Sequence, residues 1–136
     1  MKYYEIILFT EASQSYSELL VNALEENKKY FEYKFYRQHT VIIGNDFIKD
    51  LTRIGMPLNS IIIIDNMPQN FRLQKSNGIN IKSFFGEDDD DKTLIDLMTL
   101  LINIAKEEDD VRKGIIKYHE EIVTKITSNI YKHNKY

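Results

Sequence analysis

The stretch Ser60 to Pro68, Ser-Ile-Ile-Ile-Ile-Asp-Asn-Met-Pro, restricts the fold more than any other. Four consecutive β-branched isoleucines place apolar side chains on both faces of any strand they form. That is the pattern of a central strand in a parallel sheet, covered by helices on both sides. Asp65 and Asn66 end the run, and Pro68 has no N–H with which to extend a ladder. In open α/β sheets, ligands and metals bind at the carboxyl ends of the strands. Asp65-Asn66 is therefore a functional pair at such an end, or only a turn, since Asx residues favour turns in any context.

The rest of the chain alternates in the way an α/β domain requires. Tyr3 to Phe9 is strand-like and ends in the polar turn Thr10 to Ser13. Helical spacing of Tyr16, Leu19, Leu20, Ala23 and Leu24 predicts a helix from about Ser15 to Asn27 with these residues on its core face. Short strands follow at Tyr33 to Tyr36 and Thr40 to Ile43, the second broken by Gly44-Asn45. Asp46 to Ile54 reads as a short helix capped by Gly55, which puts Lys49 on a helix leading into the isoleucine strand. Phe71 to Gly78 reads as a loop and Ile79 to Phe84 as a half-buried strand. The acids Glu87 to Asp91 precede a helix marked by Leu94, Leu97, Met98, Leu101 and Ala105, where they suit the helix dipole. A last helix is expected from Asp109 to Tyr131.

At 136 residues the chain suffices for one domain with a real core. The absence of cysteine excludes disulfides and cysteine-based metal sites or nucleophiles. A net charge of -3 gives no broad basic surface for nucleic acid. No apolar run approaches a membrane span and no signal-peptide layout opens the chain, so an intracellular protein, cytoplasmic or nuclear, is expected. His39, His119 and His133 are not spaced as a metal set. The lack of a Gly-rich phosphate loop argues against a nucleotide-binding flavodoxin-like domain.

In a parallel sheet the ends of the Phe9 and Ile64 strands open on one edge. There a hydroxyl (Thr10), a carboxylate (Asp65) and an amide (Asn66) converge, and Lys49 adds the positive charge a phosphate needs. Each residue alone has a plainer role: Thr10 as a helix cap, Lys49 as a surface lysine paired with Asp46 or Asp50. Together with Arg37 in Phe-Tyr-Arg-Gln-His-Thr and Asn77 in Ser-Asn-Gly-Ile-Asn-Ile-Lys-Ser-Phe-Phe, they form an ordered set. Over about Tyr3 to Arg112 that set resembles the polymerase C-terminal-domain phosphatases and NLI-interacting-factor-like phosphatases, including the small CTD phosphatases and Dullard. These belong to the haloacid dehalogenase superfamily.

The resemblance implies a Rossmann-like parallel sheet flanked by helices, and a Mg²⁺-dependent phosphatase acting on phosphoserine or phosphothreonine in phosphoproteins or phosphopeptides. By that analogy Thr10 and Lys49 bind the phosphoryl group. Asn66 is a direct Mg²⁺ ligand, Asp65 holds the metal through water, and Arg37 is a supporting residue. Residues 1–112 would form the phosphatase-like domain and 113–136 a helical extension.

The departures are as informative. In the family the nucleophile and general acid lie in an Asp-x-Asp-x-Thr motif on the first strand, upstream of the Phe-Thr segment; here Met1 stands directly before the strand that would be second. The acids at 88–91 precede a helix and cannot substitute, the substrate-recognising hairpin is also missing, and Met67 takes the place of the usual serine. As this polypeptide stands, the expectation is an inactive or weakly active phosphatase relative with weak or no Mg²⁺ binding. The alternative is a non-catalytic binding or scaffold module, as in family relatives used in protein import. The absent strand would lie centrally, between those at Ile6 and Ile61. Its loss exposes two facing edges, and each buried unpaired backbone group costs about 1–3 kcal/mol. Either the neighbours pair directly, or a homo-oligomer forms through exposed or swapped strands.

Overall fold

The computed structural model describes residues 2–82 and 92–123. β1 (Ile7–Phe9) pairs in parallel with β2 (Tyr33–Phe35), Ile7 opposite Tyr33 and Phe9 opposite Phe35. Parallel neighbours need a crossover, and α1 (Gln14–Leu24) supplies it, its first turn capped by the Ser13 hydroxyl, which accepts the Tyr16 N–H. β3 (Val41–Ile43) and β4 (Asp46–Ile48) form an antiparallel hairpin. Its two-residue loop begins with Gly44 at φ 62°, the left-handed region that glycine enters without a Cβ clash. β5 (Ile63–Asp65) pairs in parallel with β6 (Gly78–Asn80). α2 (Thr93–Glu107) and α3 (Val111–Lys117) complete the element order.

The architecture is mixed α/β, with three two-stranded sheets among the described residues, two of them parallel. Five of the six strands overlap predicted ones, and each is only three residues long. The helix expected over Asp46 to Ile54 is overturned. Asp46 to Ile48 is a strand, because the hairpin started by Gly44-Asn45 pairs Ile48 with Val41; only Leu51–Ile54 forms a 3₁₀ turn. Gly55 does end that turn in the left-handed conformation, at φ 80°. The segment Pro68–Asn77, expected as a loop, is a succession of 3₁₀ turns. The last helix breaks at Tyr118 and resumes through Val123, while the acids at 87–91 lie outside the described residues.

The isoleucine run packs on both faces. Ile61 and Ile63 join Leu51 and Phe71 in one buried cluster. Ile62 and Ile64 pack against the other, built from Ile79, Leu97, Leu100, Ile104, Val111, Ile115 and Ile122. One face is thus covered by α2 and α3, the other by 3₁₀ turns rather than a helix. Ile115 and Ile122 lie beyond residue 112 yet share the core of α2. α1 differs from its predicted orientation: Tyr16, Leu19, Leu20 and Leu24 are exposed, Leu19 by 73%, and the buried residues are Ser17 and Val21. The sheet beneath it is two strands wide and takes only that narrow stripe.

β1 and β5 do not pair with each other; each is hydrogen-bonded on one side, to β2 and β6. Between them lies a cavity of about 310 Å³, lined by Tyr3, Tyr4, Ile7 and Phe9 from one side and Ile61 to Ile64 from the other. Tyr4 spans to the helical layer, its hydroxyl donating to the Leu101 carbonyl at 2.5 Å.

Two local features give tests. A Cβ on Gly78 would stand 2.0 Å from the buried Phe71 ring, so Gly78→Ala should cost about 1–3 kcal/mol by overpacking, read from urea denaturation. Glu25 accepts from Lys34 Nζ at 2.5 Å and from the Phe31 and Tyr30 N–H groups. The lysine bond first, then these N–H groups, hold its carboxyl at about 2. A free Glu titrates near ~4.3, so the stabilisation is complete above that pH and is lost as pH falls towards about 2. Glu25→Gln should therefore flatten the decline of the urea midpoint across this acid window.

Candidate functional site

Lys49 follows β4 directly, and the backbone on both sides of it is pinned. Its N–H donates to the Asn70 carbonyl at 2.8 Å. Next to it, the Asp50 carboxylate accepts from the Thr52 N–H at 3.0 Å and from Gln74 Nε2 at 2.9 Å. Burial works to raise the Asp50 pKa, but the bonds from Thr52 and Gln74 and the charge of Arg53 outweigh it and hold the group below its ordinary value. Lys49 is thereby aimed inward, with 9% of its surface exposed.

Asp65 ends β5 and is 6% exposed. Its Oδ2 accepts from Lys49 Nζ at 2.5 Å, while Oδ1 accepts the Met67 N–H at 2.9 Å. Asn70 Nδ2 lies 3.4 and 3.5 Å from the two oxygens. Asp65 thus makes both a turn and a buried ion pair, so the two roles weighed for it are compatible. The pair lines a cavity of about 320 Å³ with Ile64, Asn66, Ile81 and Lys82. Lys49 also lines the space between β1 and β5, so the two cavities share it.

The structure brings Lys49, Asp65 and Asn66 to one cavity and places Thr10 in another. The Thr10 hydroxyl accepts the Ala12 N–H at 3.1 Å, within the turn leading into α1. It lines an apolar pocket with Leu8, Tyr16, Val21 and Phe31. Arg37 is an exposed clamp: its Nε donates to the Glu11 carbonyl at 2.8 Å and its guanidinium lies 5.0 Å from the centre of the Phe47 ring. It ties the turn after β1 to the β3–β4 hairpin.

The donor set does not make a self-sufficient Mg²⁺ site. Among the described residues no group of three or more His, Asp or Glu side chains is placed to hold a metal ion. Both Asp65 oxygens are already hydrogen-bonded by protein groups. Mg²⁺ demands near-octahedral oxygen coordination, and Asn66 with an engaged Asp65 falls short of it.

Asn70 escapes a reading of the sequence, and Asn77 enters it only as a member of the ordered set, with no role assigned. Both lie in the Pro68–Asn77 turns, where no hydrophobic period marks burial. Asn70 supports Asp65 and the Lys49 backbone. Asn77, only 1% exposed, donates to the Leu58 and Ile61 carbonyls at 2.6 and 2.8 Å and holds the start of the isoleucine segment. The signal available was an Asn directly before Gly78, at the start of a strand.

The Lys49–Asp65 pair borders a small cavity at the carboxyl end of a parallel strand, where open α/β sheets bind ligands. The chain belongs to the family of NLI interacting factor-like phosphatases, whose sequence profile matches residues 1–112. It is 39% identical over 106 residues to a CTD small phosphatase-like protein 2 of Dictyostelium discoideum, covering 78% of this chain and 18% of that one. It is 34% identical over 100 residues to a CTD nuclear envelope phosphatase 1B of Danio rerio, covering 74% and 40%. A mitochondrial import inner membrane translocase subunit of Candida glabrata is 29% identical over 121 residues, covering 88% and 24%. The chain thus spans between about a fifth and two fifths of these relatives' lengths. Among the described residues, no helix is long and apolar enough to cross a membrane.

Removing one member of a buried ion pair leaves the other charge uncompensated. Lys49→Met should therefore cost about 3–5 kcal/mol in urea denaturation, and the double variant Lys49→Met/Asp65→Leu should recover most of it.

Proposed function

We infer that this chain forms the phosphate-holding part of a phosphoprotein phosphatase-type site on a Rossmann-like haloacid dehalogenase fold. Acting alone, it binds a phosphoryl group without hydrolysing its ester efficiently. The observation that carries this reading is the buried Lys49–Asp65 pair, 2.5 Å apart, bordering a cavity with Asn66 where β5 ends. Family membership and relatives named as phosphatases support phosphoserine or phosphothreonine in an intracellular protein as the ligand.

Turnover through an acyl-phosphate needs a free carboxylate to attack phosphorus and a second acid to protonate the leaving oxygen. Among the described residues, Asp65 is the one carboxylate lining the cavity, and Lys49 and the Met67 N–H occupy its oxygens. Lys49 can neutralise an incoming phosphate, and Thr10, from the end of β1, would join it only if the turn into α1 releases its hydroxyl. The translocase subunit, similar along 88% of this chain, favours a second reading in which the fold serves binding alone. The edges of β1 and β5 that no strand of the described residues pairs support association with a second copy through an added strand.

An assay with Mg²⁺ and an aryl phosphate tests the reading. The expected result is no turnover above blank, together with phosphopeptide binding that Lys49→Ala abolishes at a temperature where the variant is folded. Turnover that depends on Lys49 would overturn the claim that this part does not hydrolyse. Loss of phosphopeptide binding in the wild-type chain would overturn the site itself. For association, light scattering should report a species larger than a monomer.

A further inference from the structure

α1 presents a surface that a solvated helix has no need of. Of its 11 residues only Glu18 is charged, and that carboxylate accepts from Gln14 Nε2 at 2.6 Å. Tyr16, Leu19, Leu20 and Leu24 stand 59–73% exposed. At helical spacings of three and four residues they make one continuous apolar stripe. A large side chain offers about 200 Å² when free, so the stripe presents about 500 Å². Monomers seldom expose contiguous apolar patches beyond a few hundred Å². Large apolar side chains with little charge among them are the composition of an interface core.

Shape and charge select a second copy as the occupant. Tyr16, Leu20 and Leu24 line an apolar pocket of about 240 Å³ together with Leu8, Val21 and Phe31. Leu19, the most exposed of the four, lies outside that lining. One helix face therefore carries both a knob and a hole. A two-fold axis across α1 near Leu20 lets each Leu19 enter the pocket of the other copy, the reciprocal contact of an isologous interface. The same axis runs the two helices antiparallel and sets Glu18 opposite Asn22 of the other copy. A parallel pair would instead set Glu18 against Glu18, like charge against like.

We propose that α1 is a homodimerisation surface, on which a second copy of this chain packs antiparallel, with Leu19 of each copy seated in the pocket beside Leu20 of the other. This surface is distinct from the edges of β1 and β5 and from the cavity beside Asp65. It buries about 1,000 Å² in total, at the low end of specific interfaces. The dimer is therefore weak and concentration-dependent.

Light scattering of the full chain over a concentration series tests this, with disulfide crosslinking under mild oxidation. The chain has no cysteine, so a single introduced thiol can pair only with its counterpart in another copy. Positions 16 and 24 lie about 12 Å apart at roughly 1.5 Å rise per residue, too far for a disulfide within one chain. The wild-type mass should rise towards two chains with concentration. Leu19→Glu should stay at one chain, and Leu19→Ala should associate about tenfold or more weakly, both with unchanged circular dichroism. Leu20→Cys and Tyr16→Cys/Leu24→Cys should give crosslinked dimers, and Tyr16→Cys alone should not. A wild-type mass of one chain throughout would overturn the proposal. Undiminished association of both Leu19 variants would overturn it too, and leave association through the strand edges standing. Crosslinking of Tyr16→Cys alone would overturn the antiparallel packing.

Discussion

The buried contact between Lys49 and Asp65 is the constraint around which this region is arranged. Two charges withdrawn from water lose solvation worth several kcal/mol each, and only close, well-oriented pairing with further hydrogen bonds offsets it. The structure supplies those conditions from separate parts of the chain. β4 delivers Lys49, β5 delivers Asp65, and the 3₁₀ turns of Pro68–Asn77 deliver the Asn70 and Met67 groups that complete the carboxylate's shell. Asp50 and Gln74 fix the backbone just after Lys49. Replacement of such a pair by matched apolar residues is often neutral, so stability alone does not account for it.

The second organising feature is the opening between β1 and β5. Parallel strands that carry apolar side chains on both faces belong inside a sheet, yet among the described residues each of these has one edge without a strand beside it. The space between them is walled by their own side chains, with Tyr4 reaching over to α2. Lys49 stands at the junction of this opening and the cavity beside Asp65.

Much of this was legible in the residues. The isoleucine run announces a strand buried on both faces, and its two sets of side chains do enter two separate clusters. Asp65-Asn66 after the run, and Lys49 some distance before it, were readable as one group by analogy with the family, and a family profile spans residues 1–112. Lys49 was assigned to a helix because Asp46 to Ile54 has the right length and a capping glycine. The hairpin overrode that local preference, since cross-strand pairing of Val41 with Ile48 depends on residues outside the window. On α1 the period was right and the direction wrong: spacing defines an apolar stripe, but only a neighbouring surface decides whether that stripe is covered.

By itself the sequence determined the order of most elements and the chemical types at the strand ends, because period, turn residues and charge are local properties of a chain; the hairpin at Asp46 to Ile48 is the exception. Tertiary structure alone decided that Lys49 pairs with Asp65, that Thr10 turns towards α1, and that Lys82 shares a cavity with both members of the pair. Those relations join residues far apart in the chain. They follow from the relative placement of three small sheets, which no local pattern encodes.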